Sequence, residues 1–160
     1  MQINFRDIDI TSDYKFFSRV RRESSHYLDN AINFDDNEVK NFLICNHRNY
    51  KIVCLGDIQI GYLRLPILEV EGRLVQTVGL DLATEFRGRK LSMPIYKKLL
   101  NELEAAELPI VLWVLDFNLN AKHIYDSLGF KAINSSKFIQ KGSGRVCKRI
   151  MMEYNHGSKK

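Results

Sequence analysis

Residues 2–10 place Ile3 and Phe5 between polar neighbours, a period of two that predicts a first strand. Thr11, Ser12 and Asp13 form a capping cluster, and Phe16, Phe17 and Val20 predict the helix behind it. Residues 23–40 are polar and irregular, with a second helix predicted over 35–43. Strands are predicted over 50–55, 59–70 and 73–82, separated by turns at Gly56-Asp57 and Glu71-Gly72. Ile95, Leu99, Leu103 and Ala106 recur at helical spacing, so 93–107 reads as a helix, with Pro94 in its first turn and Pro109 ending it. Residues 110–115 are apolar on both faces, as in a central buried strand. A short helix over 120–128 aligns Ala121, Ile124, Tyr125 and Leu128, and Gly129 stops it. Residues 130–139 and 146–154 close the chain as an antiparallel pair, and the tail 155–160 is expected to be disordered. The fold class that follows is α/β (α+β): one mixed, mostly antiparallel central sheet with helices on both faces.

Composition narrows the functions open to such a fold. The 160 residues suit a single domain, here residues 1–154, with a 45% hydrophobic and 27% charged make-up typical of globular chains. The longest apolar run, Pro109 to Leu115, is far short of the roughly 20 residues that a spanning helix needs. Cys45, Cys54 and Cys147 form no C-x-x-C pair, which favours a reducing compartment over a disulfide framework, so the cytoplasm is the expected location. His26, His47, His123 and His156 show no metal-ligand spacing, and no metal is expected. The net charge of +5 suggests phosphate-bearing partners without separating nucleic acid from a nucleotide cofactor.

Two stretches carry candidate chemistry. From Leu80 to Ser92 a strand leads through a basic turn into a helix start, an anion site by virtue of its unpaired N–H groups and helix dipole. Arg87, Arg89 and Lys90 add charge there, and Gly88 permits close approach of the backbone. A solvated basic turn would have the same composition. From Asn118 to Phe130 a helix places Ala121 and Tyr125 four apart on one face, offering a phenol above a small residue.

Together these stretches resemble the GCN5-related N-acetyltransferase (GNAT) family. Arg87-Gly-Arg-Lys-Leu-Ser92 is similar to the family's phosphate loop, and the approach through Leu80, Leu82, Thr84 and Arg87 follows its strand-end pattern, with Thr84 where proline is common. Asn118, Ala121, Tyr125 and Gly129-Phe130 match the second family signature in full. Lys90 and Ser92 stand where the family has small residues; both are compatible with binding an anion.

The resemblance implies transfer of an acetyl group from acetyl-CoA, or another acyl-CoA, to a primary amine of a small molecule or peptide. The backbone from Arg87 through Gly88, Arg89, Lys90 and Leu91 to Ser92 would hold the pyrophosphate, and Leu80 and Leu82 would pair with the pantetheine amides. Gly79 suggests a bulge that frees them. Asn118 would hydrogen-bond the pantetheine arm or the loop beside it, Ala121 would leave room for that arm against the helix, and Lys122 would reach a phosphate. Tyr125 is the implied acid for the leaving thiolate. The glutamate usual on the strand before the loop is missing; Gln76, Thr77 and Asp81 occupy that region, and Asp81 or a water chain is the candidate base, ahead of His26 and Glu69. Arg22, His26 and Tyr27 are the candidate acceptor-binding residues. A non-catalytic CoA-binding module is the alternative, and a basic nucleic-acid binder using Lys137, Lys141, Arg145, Lys148 and Arg149 is a weaker one. No membrane partner is expected, and a homodimer is left open.

Overall fold

One hairpin organises the chain. Glu71 (φ 52°) and Gly72 (φ 80°) both take positive φ, as a two-residue type I′ turn requires. Around them β4 (Ile67–Val70) pairs with β5 (Arg73–Thr77), and farther along β3 (Ile58–Arg64) pairs with β6 (Gly79–Leu82). The register is the same on both sides of the break: Ile67 faces Gln76, and Arg64 faces Gly79. The ribbon creases at Leu65-Pro66 and Val78, where proline lacks the N–H a ladder needs. Thr77 N–H donates to Pro66 O (3.1 Å) across the crease. The strands predicted over 59–70 and 73–82 are therefore each two pieces of one ribbon.

The structure, a computed structural model, describes residues 2–156. Beside the ribbon, β1 (Ile3–Asp7) and β2 (Tyr50–Leu55) complete an antiparallel half-sheet ordered β1-β2-β3-β6. The other half-sheet runs β4-β5-β7-β9-β8, with β7 at Ile110–Leu115, β8 at Phe130–Ile139 and β9 at Val146–Tyr154. It is antiparallel except for a short parallel contact between β5 and β7. The mostly antiparallel α/β architecture is as predicted, but the single sheet is two hydrogen-bonded halves sharing the creased ribbon.

Strand alternation assigns the two faces. α1 (Ile10–Ser24) and α2 (Asp36–Asn46) cover one, where Phe17, Val20 and Leu43 pack with Ile52, Cys54 and Tyr62. α3 (Ser92–Leu103) and α4 (Leu119–Leu128) cover the other, where Ile95 and Leu99 pack with Leu63, Leu82 and Leu112. Adjacent Tyr62 and Leu63 thus belong to opposite cores.

Helix starts differ from expectation in one instructive place. Asp9 caps α1, accepting from Thr11 and Ser12 N–H, while Asp13 of the predicted capping cluster is buried and accepts from both Arg6 Nη atoms (2.7 and 2.9 Å). Asp35 and Glu38 form a capping box on α2. Of the predicted tail, Asn155 N–H donates to Gly129 O and the His156 ring lies on Tyr154; residues 157–160 lie outside the described residues. Cys54 and Cys147 are buried, Cys45 is exposed, and all three are free. No helix among the described residues is long and apolar enough to cross a membrane.

Candidate active site

β5 and β7 stay together only through Gln76–Ile110 and Thr77–Val111, followed by Val78 N–H donating to Val111 O (3.1 Å). Beyond that point, among the described residues, β6 pairs as a strand only with β3, and β7 only with β9. A gap opens between β6 and β7. Which backbone groups face it follows from the ladder. Ala83 N–H donates to Ile60 O, so odd-numbered residues of this strand spend their backbone groups on β3. Gln76 and Val78 donate the opposite way, to Pro109 and Val111. Leu80 and Leu82 therefore point their backbone groups into the gap. The Leu82 carbonyl is already engaged by Arg87 Nε (3.0 Å), which leaves the Leu82 N–H.

The gap leads to the start of α3. Leu91 caps this helix without any side-chain acceptor, so its first-turn N–H groups present an uncompensated positive end. Gly88 (φ 72°) and Lys90 (φ 59°) both take left-handed backbone in the approach. Lys90 thus occupies a glycine-like position at a cost of roughly 1–2 kcal/mol. Arg89 and Lys90 are exposed, with the Arg89 guanidinium over the Phe86 ring. Arg87 departs from expectation: its side chain turns inward, bonding Leu82 O and Ser24 Oγ (3.0 Å each), so its charge braces the loop. Asn118 caps α4, accepting from Ala121 N–H, and Lys122 pairs with Asp126 one turn on.

Tyr125 lies on α4, just after β7, half-buried among the core residues of this face. Its hydroxyl is 3.2 Å from that of Tyr96 on α3, with the rings edge-on. Tyr96 is only 2% exposed and among the described residues has this one partner for its proton, so Tyr96 donates and Tyr125 accepts. The Tyr125 proton is then free for another acceptor. Burial pushes the Tyr125 phenol up, partly offset by the Tyr96 hydrogen bond, so it stays protonated at neutral pH.

Asp81 sits on the opposite face of β6, directly across from Tyr62, at 7% exposure. Arg64 Nε donates to its Oδ2 (2.8 Å). To reach it, the Arg64 side chain crosses over Gly79, and a Cβ there would lie 2.6 Å from the Arg64 Cζ. This explains the glycine, and the predicted bulge is instead the crease at Val78. Burial opposes the Arg64 charge, but the Asp81 carboxylate outweighs it and the pKa is raised. Burial and then the Asp81 charge push the Tyr62 phenol well up.

No protein-family model and no curated protein matches the sequence. Solved structures do match. A ribosomal-protein-alanine N-acetyltransferase from Brucella melitensis superposes with TM-score 0.78 at 15% identity, over 94% of this chain and 98% of its own. A GNAT-family acetyltransferase from Bacillus anthracis gives 0.78 at 14% identity, over 96% and 94%. The Salmonella typhimurium protein yncA, solved with its cofactor acetyl-CoA, gives 0.77 at 13% identity, over 97% and 94%. The fold is that of the GCN5-related N-acetyltransferases.

Within this GNAT fold the predicted site residues divide. Leu80, Leu82, Lys90, Leu91 and Ser92 lie along the gap and the α3 start. Arg22, His26 and Tyr27 do not gather around a common site. Arg22 is paired with Asp36 and bonds Ser18, while His26 and Tyr27 pack with Phe117. A cavity of about 450 Å³ lies elsewhere, beneath α1 and α2, lined by Phe17, Phe34, Phe42, Tyr50, Tyr62 and Arg64 among others. Sequence reasoning missed Arg64, Tyr96 and this cavity. Of the basic cluster near the last turn, Arg145 covers Phe117 and Arg149 pairs with Asp29 over Trp113.

Proposed function

We propose that the chain is an N-acetyltransferase that moves an acetyl group from acetyl-CoA to a primary amine of a small molecule or peptide. The observation that carries this is the gap between β6 and β7, with the free backbone edge of Leu80 and Leu82 running to the uncapped start of α3. The residues present fit acetyl-CoA: Leu80 offers its backbone groups to the pantetheine amides, Leu82 keeps its N–H for the thioester carbonyl, and Gly88–Ser92 offer N–H groups and the Arg89 and Lys90 charges for a pyrophosphate. Asn118, Ala121 and Lys122 line the α4 start on the other side of the gap. The thioester supplies the acyl carbon and a thiolate leaving group.

The chain's own groups then divide the work. The Leu82 N–H is the donor for the charge that grows on the carbonyl oxygen. The amine nitrogen forms the new C–N bond as the C–S bond breaks. Tyr125 gives its proton to the departing sulfur, with Tyr96 holding its oxygen in place. Asp81 takes the proton released by the amine, its position fixed by Arg64. The free cysteines suit a cytoplasmic setting.

Acetyl-CoA titration followed by thiol release on an amine panel tests this reading. Tyr125→Phe is expected to lower turnover by roughly 10²–10⁴ while acetyl-CoA still binds. A fully active Phe variant removes Tyr125 from the chemistry, and an absence of acetyl-CoA binding removes the reading itself.

A further inference from the structure

The cavity beneath α1 and α2 is built from rings. Phe17 and Tyr62 stack at 4.2 Å, Tyr50 meets Phe17 edge-on at 5.1 Å, and Phe42 meets Tyr50 at 5.8 Å. Its volume of about 450 Å³ lies in the small-molecule range of roughly 300–1,000 Å³. The polar groups on its walls are mostly spent. Arg21 donates to the carbonyls of Ile32 (2.7 Å) and Asn30 (3.2 Å) and lies over Phe34. Glu38 accepts from Asp35 N–H in the capping box.

Arg64 is different. Its Nε is bound to Asp81, but among the described residues no acceptor meets its Nη1 or Nη2. Its side chain is 39% exposed, and it is a cavity wall. The Tyr50 hydroxyl likewise has no hydrogen-bond partner among the described residues, and burial pushes its pKa up, so it remains a donor. The donors left unspent are thus the two Nη groups of Arg64 and the Tyr50 hydroxyl, set among aromatic walls, with the Glu38 carboxylate held in its capping box on α2. Such a site takes an apolar body ending in an anion, and a planar fork suits a carboxylate. A polyamine would bring its cations toward Arg21 and Arg64, and an amino sugar would leave its hydroxyls facing rings.

Arg64 is also tied to the reaction centre, through Asp81 on the strand whose neighbours Leu80 and Leu82 face the gap. The carboxylate and the reacting amine must then be close together in the acceptor. Building on the acetyltransferase reading, we infer that the acceptor is a free α-amino acid with an aromatic or branched apolar side chain. Its carboxylate sits on Arg64 Nη1 and Nη2, and its side chain lies among Phe17, Phe42, Tyr50 and Tyr62. Its α-amine is directed toward Asp81 and the gap. The C–N bond forms, the thioester C–S bond breaks, the amine proton passes to Asp81, and the thiolate is protonated by Tyr125.

The test uses the full chain and acetyl-CoA with L-phenylalanine, L-leucine, phenylalaninamide, phenethylamine, spermidine and glucosamine, read by thiol release and by calorimetric binding to the CoA-loaded protein. L-Phenylalanine or L-leucine is expected to exceed the amide and the amine by about 10–100-fold in kcat/KM, the worth of a charge-assisted bidentate bond. Arg64→Gln should erase that preference, read within the variant as the ratio of kcat/KM for L-phenylalanine to that for phenethylamine, while both amines share any loss that comes through Asp81. Because Asp81 loses its partner in that variant, Phe42→Ala is the second arm. This rim residue is 43% exposed, and its truncation should raise the KM for L-phenylalanine several-fold with the KM for acetyl-CoA unchanged. Equal or better turnover of the amide, phenethylamine, spermidine or glucosamine overturns the proposal and leaves the acetyltransferase reading standing. So does acetyl-CoA binding with neither amino acid bound nor acetylated. Failure to bind acetyl-CoA overturns the underlying reading instead.

Discussion

Replacing Gly79 with alanine tests the contact at the heart of the acceptor side. The backbone raises no objection, since Gly79 is not among the positive-φ residues. The obstacle is Arg64: the new Cβ would sit 2.6 Å from Cζ and 2.8–2.9 Å from the two Nη atoms. Carbon atoms settle at about 3.5–4.0 Å, so the guanidinium must retreat by roughly 1 Å. That stretches the 2.8 Å bond to Asp81 out of hydrogen-bond range. Breaking a fully buried pair costs about 3–5 kcal/mol. With Arg64 39% exposed, water can replace part of the loss, and about 1–2 kcal/mol is the better figure. Alanine in a strand regains about 0.5–1 kcal/mol of chain entropy. The net is a destabilisation of about 1 kcal/mol, or about 2–4 °C in Tm for a domain of this size. Thermal melts of Gly79→Ala alone and in an Asp81→Asn background decide the matter. With no ion pair to lose, the same alanine should be neutral or stabilising in the second background. If Gly79→Ala stabilises the otherwise unchanged protein, Arg64 does not cross this position and the reasoning is wrong.

Tyr96→Phe should lower kcat by about 10-fold with the KM for acetyl-CoA unchanged, as expected for losing a positioning bond. It should also move the alkaline limb of the pH profile upward, because Tyr96 holds the Tyr125 pKa down; an unmoved limb separates Tyr96 from Tyr125. Lys90→Gly relieves left-handed strain while adding unfolded-state entropy, so melting should change by under about 1 kcal/mol. Its acetyl-CoA affinity should fall several-fold at low salt and converge with wild type at high salt, and a salt-independent loss would contradict the charge argument. Burial works to raise the Asp13 pKa, but hydrogen bonds from Arg6, Asp9 N–H and Gln59 outweigh it and hold the carboxyl below its usual range. Its stabilisation is thus present above the unfolded pKa near 4 and lost as pH falls through the lower folded value. Denaturant titrations from pH 6 to 3 should show a shallower acid decline in Asp13→Asn, and an identical slope would assign acid lability elsewhere.

Three strands were legible to the residue: β7, continuously apolar, and the closing pair β8 and β9 begin and end where the sequence predicts. The α1 start was not, because Asp9 and Asp13 are both plausible caps and only the burial of Asp13 against Arg6 separates them. The cofactor side of the site was legible because its residues are local, along one strand and the start of one helix. The acceptor side draws on α1, α2, β2, β3 and the segment between the first two helices, which no local pattern brings together. One signal was present. A two-residue turn at Glu71-Gly72 sets the hairpin register, and counting back from it places Arg64 opposite Gly79 and Tyr62 opposite Asp81. An arginine facing a glycine two residues before an aspartate is a pattern that register makes visible.

The creased ribbon has a consequence for tolerance to change. Its tip at Glu71-Gly72 lies beyond the crease, so extra residue pairs there lengthen the ribbon without disturbing Arg64, Gly79 or Asp81. At the crease, parity rules. One residue inserted at Pro66 or Val78 exchanges odd for even along everything beyond it. After Val78 it would turn the Leu80 and Leu82 backbone away from the gap and send the Asp81 side chain into the opposite core. Both halves of the site thus depend on an even count of residues through a bend only a few atoms wide.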